Sequence, residues 1–286
     1  MLSKIYLETT NVCNLSCSFC HKTTRQKRFM SLSEFETVTD KIKGKSRFLY
    51  LHLMGEPLLQ PHLSQMAHIA KQKGFDVMLT TNGSLLAECG EFIYKNGDIK
   101  KVSISLQASE IHNKAISNTE KYISDVSAFA KECAGSGVIC VLRLWNLCNG
   151  KNQENDKIHE LLHKEFPDKW IKNRSGFKLF DSPKGKDEVY LEYGEKFDWP
   201  DANGNPERDV THCLAITDQI GILCDGTVVP CCLDADGEIA LGNIFESSFE
   251  EILCSERAQK LISSFEKRCP SEKLSRTCGF AERFSK

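Results

Sequence analysis

No uninterrupted apolar run in this chain is long enough to cross a bilayer, which removes a helical membrane protein from consideration. Charge of one sign is also lacking. The formal net charge is −2, so nothing global points to nucleic acid or to an anionic membrane. No Gly-x-Gly-x-x-Gly follows a strand-like run and no Walker sequence occurs, so nicotinamide and P-loop chemistry have no support. There is no internal repeat of fixed period, which argues against a solenoid, and no low-complexity tract. Strand-like residues begin at about residue 4, leaving no room for a cleaved signal peptide. The remaining composition, 41% hydrophobic and 27% charged, is ordinary for a globular protein. A length of 286 residues suits one barrel-sized domain with a smaller appendage.

What the chain has in quantity is cysteine, 14 in all. Without an export signal these thiols are expected in a reducing cytoplasm, where ligands and catalytic thiols outnumber disulfides. They fall in two regions. Cys13, Cys17 and Cys20 follow the strand-like Ile5-Tyr6-Leu7 at spacing C-x3-C-x2-C, and Cys213, Cys224, Cys231, Cys232, Cys254, Cys269 and Cys278 crowd the last third. A structural zinc site closes with four protein ligands. A four-iron cubane has four irons to cap, usually with cysteine thiolates. Three cysteines from one loop would cap three irons and leave the fourth open to a small chelating molecule. A chance triplet and a zinc knuckle are the bland alternatives.

The first half alternates strand-like and helix-like segments: strands at 5–8, 48–53, 75–80, 102–106 and 138–145, helices at 32–42, 63–73, 85–95, 118–133 and 156–166. Val189 to Tyr193 reads as a last barrel strand, 184–188 as a solvated loop, and Asp201 to Pro206 as a loop leading out. Alternation of this kind predicts βα units on a parallel sheet, an α/β fold curling into a partial (β/α)6 TIM-like barrel. Sites in such barrels gather at the carboxyl ends of the strands, where the cysteine loop falls. Near the chain end, Ile220–Leu223 and Thr227–Val229 flank Asp225-Gly226 as a hairpin, followed by helices at 248–254 and 256–265.

The cysteine loop resembles the signature of the radical S-adenosylmethionine (SAM) superfamily. The resemblance implies that the open iron of a [4Fe-4S] cluster is chelated by SAM. Reductive cleavage then yields a 5′-deoxyadenosyl radical that abstracts a hydrogen atom from substrate. Met54-Gly55-Glu56-Pro57 resembles the family's Gly-Gly-Glu-Pro motif with methionine at its first position, which implies that Gly55 and Glu56 hold the SAM amino group. Asn82 of Thr80-Thr81-Asn82-Gly83 and Ser105, near Gln107, are the further SAM-contact candidates. Arg143, in an otherwise apolar strand, wants an anionic partner such as the SAM carboxylate, a substrate group or a core carboxylate.

The C-x12-G-x4-C element Cys213–Gly226–Cys231, with Leu241-Gly242-Asn243-Ile244 and a late cysteine pair, resembles the SPASM and Twitch extensions of that superfamily. It implies one auxiliary [4Fe-4S] cluster on Cys213, Cys231, Cys269 and Cys278. The final pair is spaced x8 rather than the commoner x2, so Cys232 is the substitute for Cys269. A zinc ribbon is the alternative. The expected division is residues 1–205 for the barrel and 206–286 for the extension.

The implied function is oxidation or epimerisation of a small molecule or carbohydrate. A maturase of a ribosomally made peptide is the alternative within the family, and a non-catalytic iron–sulfur or zinc module the alternative outside it. With the barrel starting at once, no leader-binding domain is expected in front, which leans toward a small molecule. An electron donor such as flavodoxin or ferredoxin is expected. If the reaction is an epimerisation, Cys148, at the end of the fifth strand, is the candidate hydrogen-atom donor.

Overall fold

The computed structural model describes residues 1–110, 116–168, 170–181, 188–204, 206–210 and 212–284. Strand β1 (Leu2–Leu7) sets the pattern for the barrel. Ile5 and Leu7 are fully buried on one side, while Lys4 and Tyr6 are half-buried on the other. The following strands, several of which carry three buried residues in a row, are separated by helices: α1 (Leu32–Lys41), β2 (Ser46–Tyr50), α2 (Leu63–Gln72), β3 (Asp76–Thr81), α3 (Leu86–Cys89), α4 (Phe92–Lys95), β4 (Ile99–Ser105), α5 (Thr119–Gly135), β5 (Ile139–Leu147) and α6 (Asn155–Glu165). Strands β1 to β5 pair in parallel and in chain order. The sixth parallel strand is β8 (Glu188–Glu195), against β5.

The helices bury apolar stripes against the outer side of this sheet. Phe35 and Val38 of α1, Met66, Ala67 and Ala70 of α2, and Ile123, Val126 and Ala130 of α5 all sit below 1% exposure with Leu49, Val77, Val102 and Leu142 of the strands. Each of the larger of these side chains, Val, Leu, Ile, Met or Phe, contributes about 1.5–3 kcal/mol relative to exposure. The start of α1 is set by a capping box in which Ser31 and Glu34 satisfy each other's backbone N–H groups. The inner side of the sheet is polar instead. Tyr6, Tyr50 and His52 form an aromatic group with ring centroids 5.0–5.7 Å apart. Arg143 lies 4.8 Å from the Trp145 ring and opposite Glu192 in register.

Three features depart from the sequence expectation. The helix expected over 85–95 is two short helices broken at Gly90, whose N–H closes on the Leu86 carbonyl. Glycine is a poor helix former, and a Cβ there would stand 2.6 Å from that carbonyl oxygen. The sixth barrel strand is entered through antiparallel strands β6 (Ile171–Lys172) and β7 (Gly176–Asp181), rather than by a plain helical crossover. The extension also adds to the barrel sheet itself. β9 (Gln219–Ile222) pairs in parallel with β1 on its free edge, and β10 (Thr227–Val229) and β11 (Gly242–Asn243) continue it antiparallel. Helices α7 (Phe249–Leu253), α8 (Glu256–Glu266) and α9 (Lys273–Arg276) follow. The expected solvated loop 184–188 lies outside the described residues except for Glu188, and the loop 201–206 is described except for Asn205.

Glu8, directly after β1, is fully buried and gathers four donors from three distant parts of the chain. Arg25 gives it a two-pronged pair at 2.7 and 2.9 Å, the Met54 N–H bonds at 3.2 Å and the Cys224 N–H at 3.0 Å. One residue past Met54, Gly55 has φ +76°, and a Cβ there would lie 2.5 Å from the Thr10 oxygen and 2.8 Å from that of Val12. Only glycine fits so close an approach of two backbones. The Glu56 N–H closes the contact on Val12 at 2.8 Å.

Removing one partner of a buried pair leaves the other charge uncompensated. Glu8→Gln is therefore expected to lose about 3–5 kcal/mol of unfolding free energy in urea, with less loss in Glu8→Gln/Arg25→Met. A loss under about 1 kcal/mol would show that the pair is not the hub described. Gly55→Ala is expected to cost at least about 2 kcal/mol and to lower the iron retained after anaerobic reconstitution, since the cysteine-bearing segment must shift. Iron retention equal to wild type would count against that packing.

Candidate functional site

Cys13, Cys17 and Cys20 leave β1 on a loop that folds back over the strand ends, and all three line one cavity of about 320 Å³. Its other walls include Asn11, Leu53, Met54, Gly55, His21 and Trp199. The Cys13 thiol accepts the Leu15 N–H at 3.4 Å, and burial raises its pKa. The Cys17 thiol donates to Cys20, which raises Cys17 and lowers Cys20. Among the described residues no three Cys, His, Asp or Glu side chains close on a point as around a single metal ion. Three thiols without a fourth, spread around a roomy cavity, fit a four-iron cluster better than zinc. Bound iron would supply the positive charge that keeps these thiols ionised.

The SAM-contact candidates divide by position. Met54 and Gly55 face the cavity. Glu56 is among the most buried carboxylates, at 1% exposure, and does not line the cavity. Its oxygens accept from the Leu58 N–H at 3.0 Å, the Thr81 hydroxyl at 2.7 Å and the Asn82 N–H at 2.7 Å. Burial still raises its pKa. The side chain thus ties the ends of β2 and β3 together and presents Asn82, whose amide nitrogen stands 3.9 Å from the Cys13 sulfur and 3.0 Å from the Asn14 side chain. Ser105 ends β4, and its carbonyl and that of Asn82 both accept from the Tyr122 hydroxyl.

Arg143 lies inside the barrel among Tyr6, Tyr50, His52 and Glu192, and burial lowers its pKa. The Nε of Arg143, the Nδ1 of His52 and the Oε1 of Gln107 are buried without a hydrogen-bond partner among the described residues. Burial, reinforced by Arg143, pulls the His52 pKa down to about 3. Cys148 is exposed, in the turn where its N–H bonds the Lys151 carbonyl, and lines neither cysteine cavity.

Cys213, Cys231 and Cys278 come together around a second, smaller cavity with Pro200, Pro230, Asp234 and Ser275. Here too a cysteine sulfur accepts the N–H two residues on, from Ala215 to Cys213 at 3.4 Å. Burial pushes Cys213 up to about 11 and raises Cys231 and Cys278. Ile216 has φ +57°, costly for a β-branched residue, and its N–H bonds the Pro230 carbonyl at 2.8 Å. That strained residue holds the Cys213 segment beside Cys231. Gly226 has φ +87° at the hairpin turn, where a Cβ would meet Phe245 and Asn243, which accounts for the glycine between the two cysteines. Cys269 is exposed after α8 and does not line this cavity. Cys232 is half-buried beside Tyr6 and Lys4 and does not line this cavity.

The two centres are neighbours. Trp199 lines the first cavity and Pro200 the second. Asp236 of the extension accepts from the Thr23 hydroxyl and the Thr24 N–H and pairs with His21 at 2.6 Å, and Arg25 reaches the Ala235 carbonyl at 2.8 Å. No sequence pattern announces these latches. His21, Thr23 and Arg25 were visible only as polar residues after the cysteine loop, with their partners some 200 positions away.

Both parts of the chain match known families. The profile of the radical SAM superfamily matches residues 7–163, and that of the SPASM iron–sulfur cluster-binding domain matches 213–279. The antilisterial bacteriocin subtilosin biosynthesis protein AlbA of Bacillus subtilis is 24% identical over 308 residues, covering 95% of this chain and 65% of AlbA. Other curated relatives match over 29% to 38% of this chain, which spans 25% to 36% of their length. BtrN in complex with AdoMet and 2-DOIA superposes with a TM-score of 0.57 at 16% identity, over 97% of this chain and 93% of BtrN. Streptococcus suis SuiB bound to precursor peptide SuiA gives 0.63 at 14% identity, over 98% and 70%. These likenesses establish a shared fold. The matched families bring a [4Fe-4S] cluster with SAM to the barrel and auxiliary iron–sulfur ligation to the extension. With the barrel profile covering more than half of its length and the SPASM profile its last part, the chain belongs to the radical SAM superfamily.

Proposed function

We propose that Cys13, Cys17 and Cys20 hold the SAM-binding cluster, and that the protein abstracts a hydrogen atom from a polar substrate group seated in the barrel lumen. The observation that carries this reading is the trio of thiols with no fourth, on a cavity walled by the Met54–Gly55 backbone. When bound, the cluster supplies the electron that cleaves SAM and generates the 5′-deoxyadenosyl radical. The protein's own part is binding, orientation and exclusion of water. The Gly55 backbone and the Asn82 amide border the Cys13 side of the cavity, where the SAM amino acid moiety would lie. Arg143 and His52, half-buried but each with one buried nitrogen unpartnered among the described residues, offer hydrogen bonds inside the lumen to a SAM or substrate oxygen. Ser105 contributes at the end of β4.

One auxiliary [4Fe-4S] cluster on Cys213, Cys231 and Cys278 would accept an electron from a substrate radical near the lumen, which suits an oxidation. A small polar molecule or carbohydrate is the first substrate class. Support comes from the polar inner face and from the likeness to BtrN along nearly the full length of both chains. A peptide substrate is the second reading, favoured by the match to AlbA over 95% of this chain and by the likeness to SuiB. An electron donor of the flavodoxin or ferredoxin type and a cytoplasmic setting accompany either reading. All 14 cysteines are free, which is compatible with that setting.

With SAM and a strong reductant, the reconstituted protein is expected to release 5′-deoxyadenosine. Cys13→Ala, Cys17→Ala or Cys20→Ala is expected to lower that yield at least 100-fold (about 2.7 kcal/mol or more in barrier). Yield persisting in the triple variant would remove these residues from the role. Cys148→Ala is expected to keep SAM cleavage within about twofold of wild type. If product formation is also unchanged in that variant, Cys148 is no hydrogen-atom donor. Mass spectrometry of candidate sugars and peptides incubated with enzyme and SAM separates the substrate classes.

A further inference from the structure

Three thiols reach the second cavity, yet a cubane has four corners. The residue expected to complete the set, Cys269, is exposed, nine positions before Cys278, with its N–H spent on the Ser264 carbonyl at the end of α8. Cys232 is occupied with Tyr6 and Lys4 and does not line the cavity. Two oxygen side chains remain on the cavity wall, Asp234 and Ser275. The Asp234 carboxylate has both oxygens engaged, accepting the Glu238 N–H at 2.9 Å and the Ile239 N–H at 2.8 Å, where it shapes the turn after Cys232. Ser275 is different. It is half-buried on α9, it stands at spacing x2 from Cys278, and among the described residues its hydroxyl has no hydrogen-bond partner. A pair at x2 is the spacing at which two side chains of one turn reach neighbouring corners of a cluster, and here the first of the pair carries oxygen in place of sulfur.

We propose that Ser275 is the fourth protein ligand of the auxiliary cluster, giving it three thiolates and one alkoxide. This rests on the reading that the extension holds such a cluster. As the iron–oxygen bond forms, the Ser275 O–H bond breaks and the proton passes to water. The positive iron lowers the hydroxyl pKa as it does that of a bound water. The total ligand charge equals that of four thiolates, so the cluster keeps its usual charge, but one iron becomes distinct from the other three. An oxygen ligand is harder than sulfur and binds that iron less tightly in the reduced state. The expected consequences are one spectroscopically unique iron and a corner that is lost first on oxidation.

The test uses the full-length Cys13→Ala/Cys17→Ala/Cys20→Ala protein, reconstituted anaerobically, so that only the auxiliary centre contributes signal. About four irons per chain are expected in this background. Mössbauer spectra should resolve one iron in four as a distinct site. Adding Ser275→Cys should merge that site with the others. Adding Ser275→Ala should speed oxidative conversion to a three-iron cluster at least tenfold. Adding Cys269→Ala should change neither reading. The proposal is overturned if Cys269→Ala produces those effects, or if Ser275→Ala and Ser275→Cys leave both the spectrum and the conversion rate unchanged. A background protein without iron would instead remove the auxiliary cluster itself, and the proposal with it.

Discussion

The buried carboxylate of Glu8 is the contact on which the arrangement of both cysteine regions depends. A carboxylate at 0% exposure is costly unless every lone-pair direction is met. Here four N–H donors meet it, and they come from the segment after the cysteine loop, the turn after β2 and the turn between β9 and β10. Each donor segment contributes to a wall of a cavity or carries a ligand candidate toward one. The energy that compensates burial of the charge therefore also fixes the position of these three segments relative to β1. The close backbone packing at Gly55 and the latches from His21, Thr23 and Arg25 to residues 235–236 extend the same unit.

The barrel is two-faced in a way that serves its chemistry. On its outer face, strand residues such as Leu49 and Leu142 interlock with the helices at 0% exposure, which makes the sheet a rigid support. On its inner face, Tyr6, Tyr50, His52, Arg143 and Glu192 remain polar and partly open, and two of their buried atoms, His52 Nδ1 and Arg143 Nε, lack partners among the described residues. A packed TIM barrel would fill this space with branched apolar side chains. Leaving it polar costs stability, and it is in this polar lumen that the proposed reading seats the substrate.

The auxiliary centre shows how spacing and packing share control. Gly226 and the hairpin around it are local features, so the five residues from the turn to Cys231 arrive in a predictable place. Cys213 is brought beside Cys231 by a strained Ile216 that no sequence pattern announces. Cys278 is positioned by α9 and by the Gly279 backbone, which packs against Asp198 at the barrel exit. Cys269, one helix end away, is left outside although its residue type matched the expectation.

Read alone, the sequence was enough for the α/β alternation, the order of the parallel strands, the front cysteine trio and the hairpin with its glycine. Those follow from side-chain periodicity and from spacings within about a dozen residues, where local geometry largely follows the residue pattern. It could not say that β8 would be reached through a hairpin, or that β9 would extend the barrel sheet on the edge of β1. Nor did it show that Glu56 would spend its carboxylate on Thr81 and Asn82, or which of seven late cysteines would meet. Those outcomes depend on contacts between residues tens to hundreds of positions apart. Such contacts are selected by whether buried charges and backbone donors all find partners at once, and that condition exists only after the chain has folded.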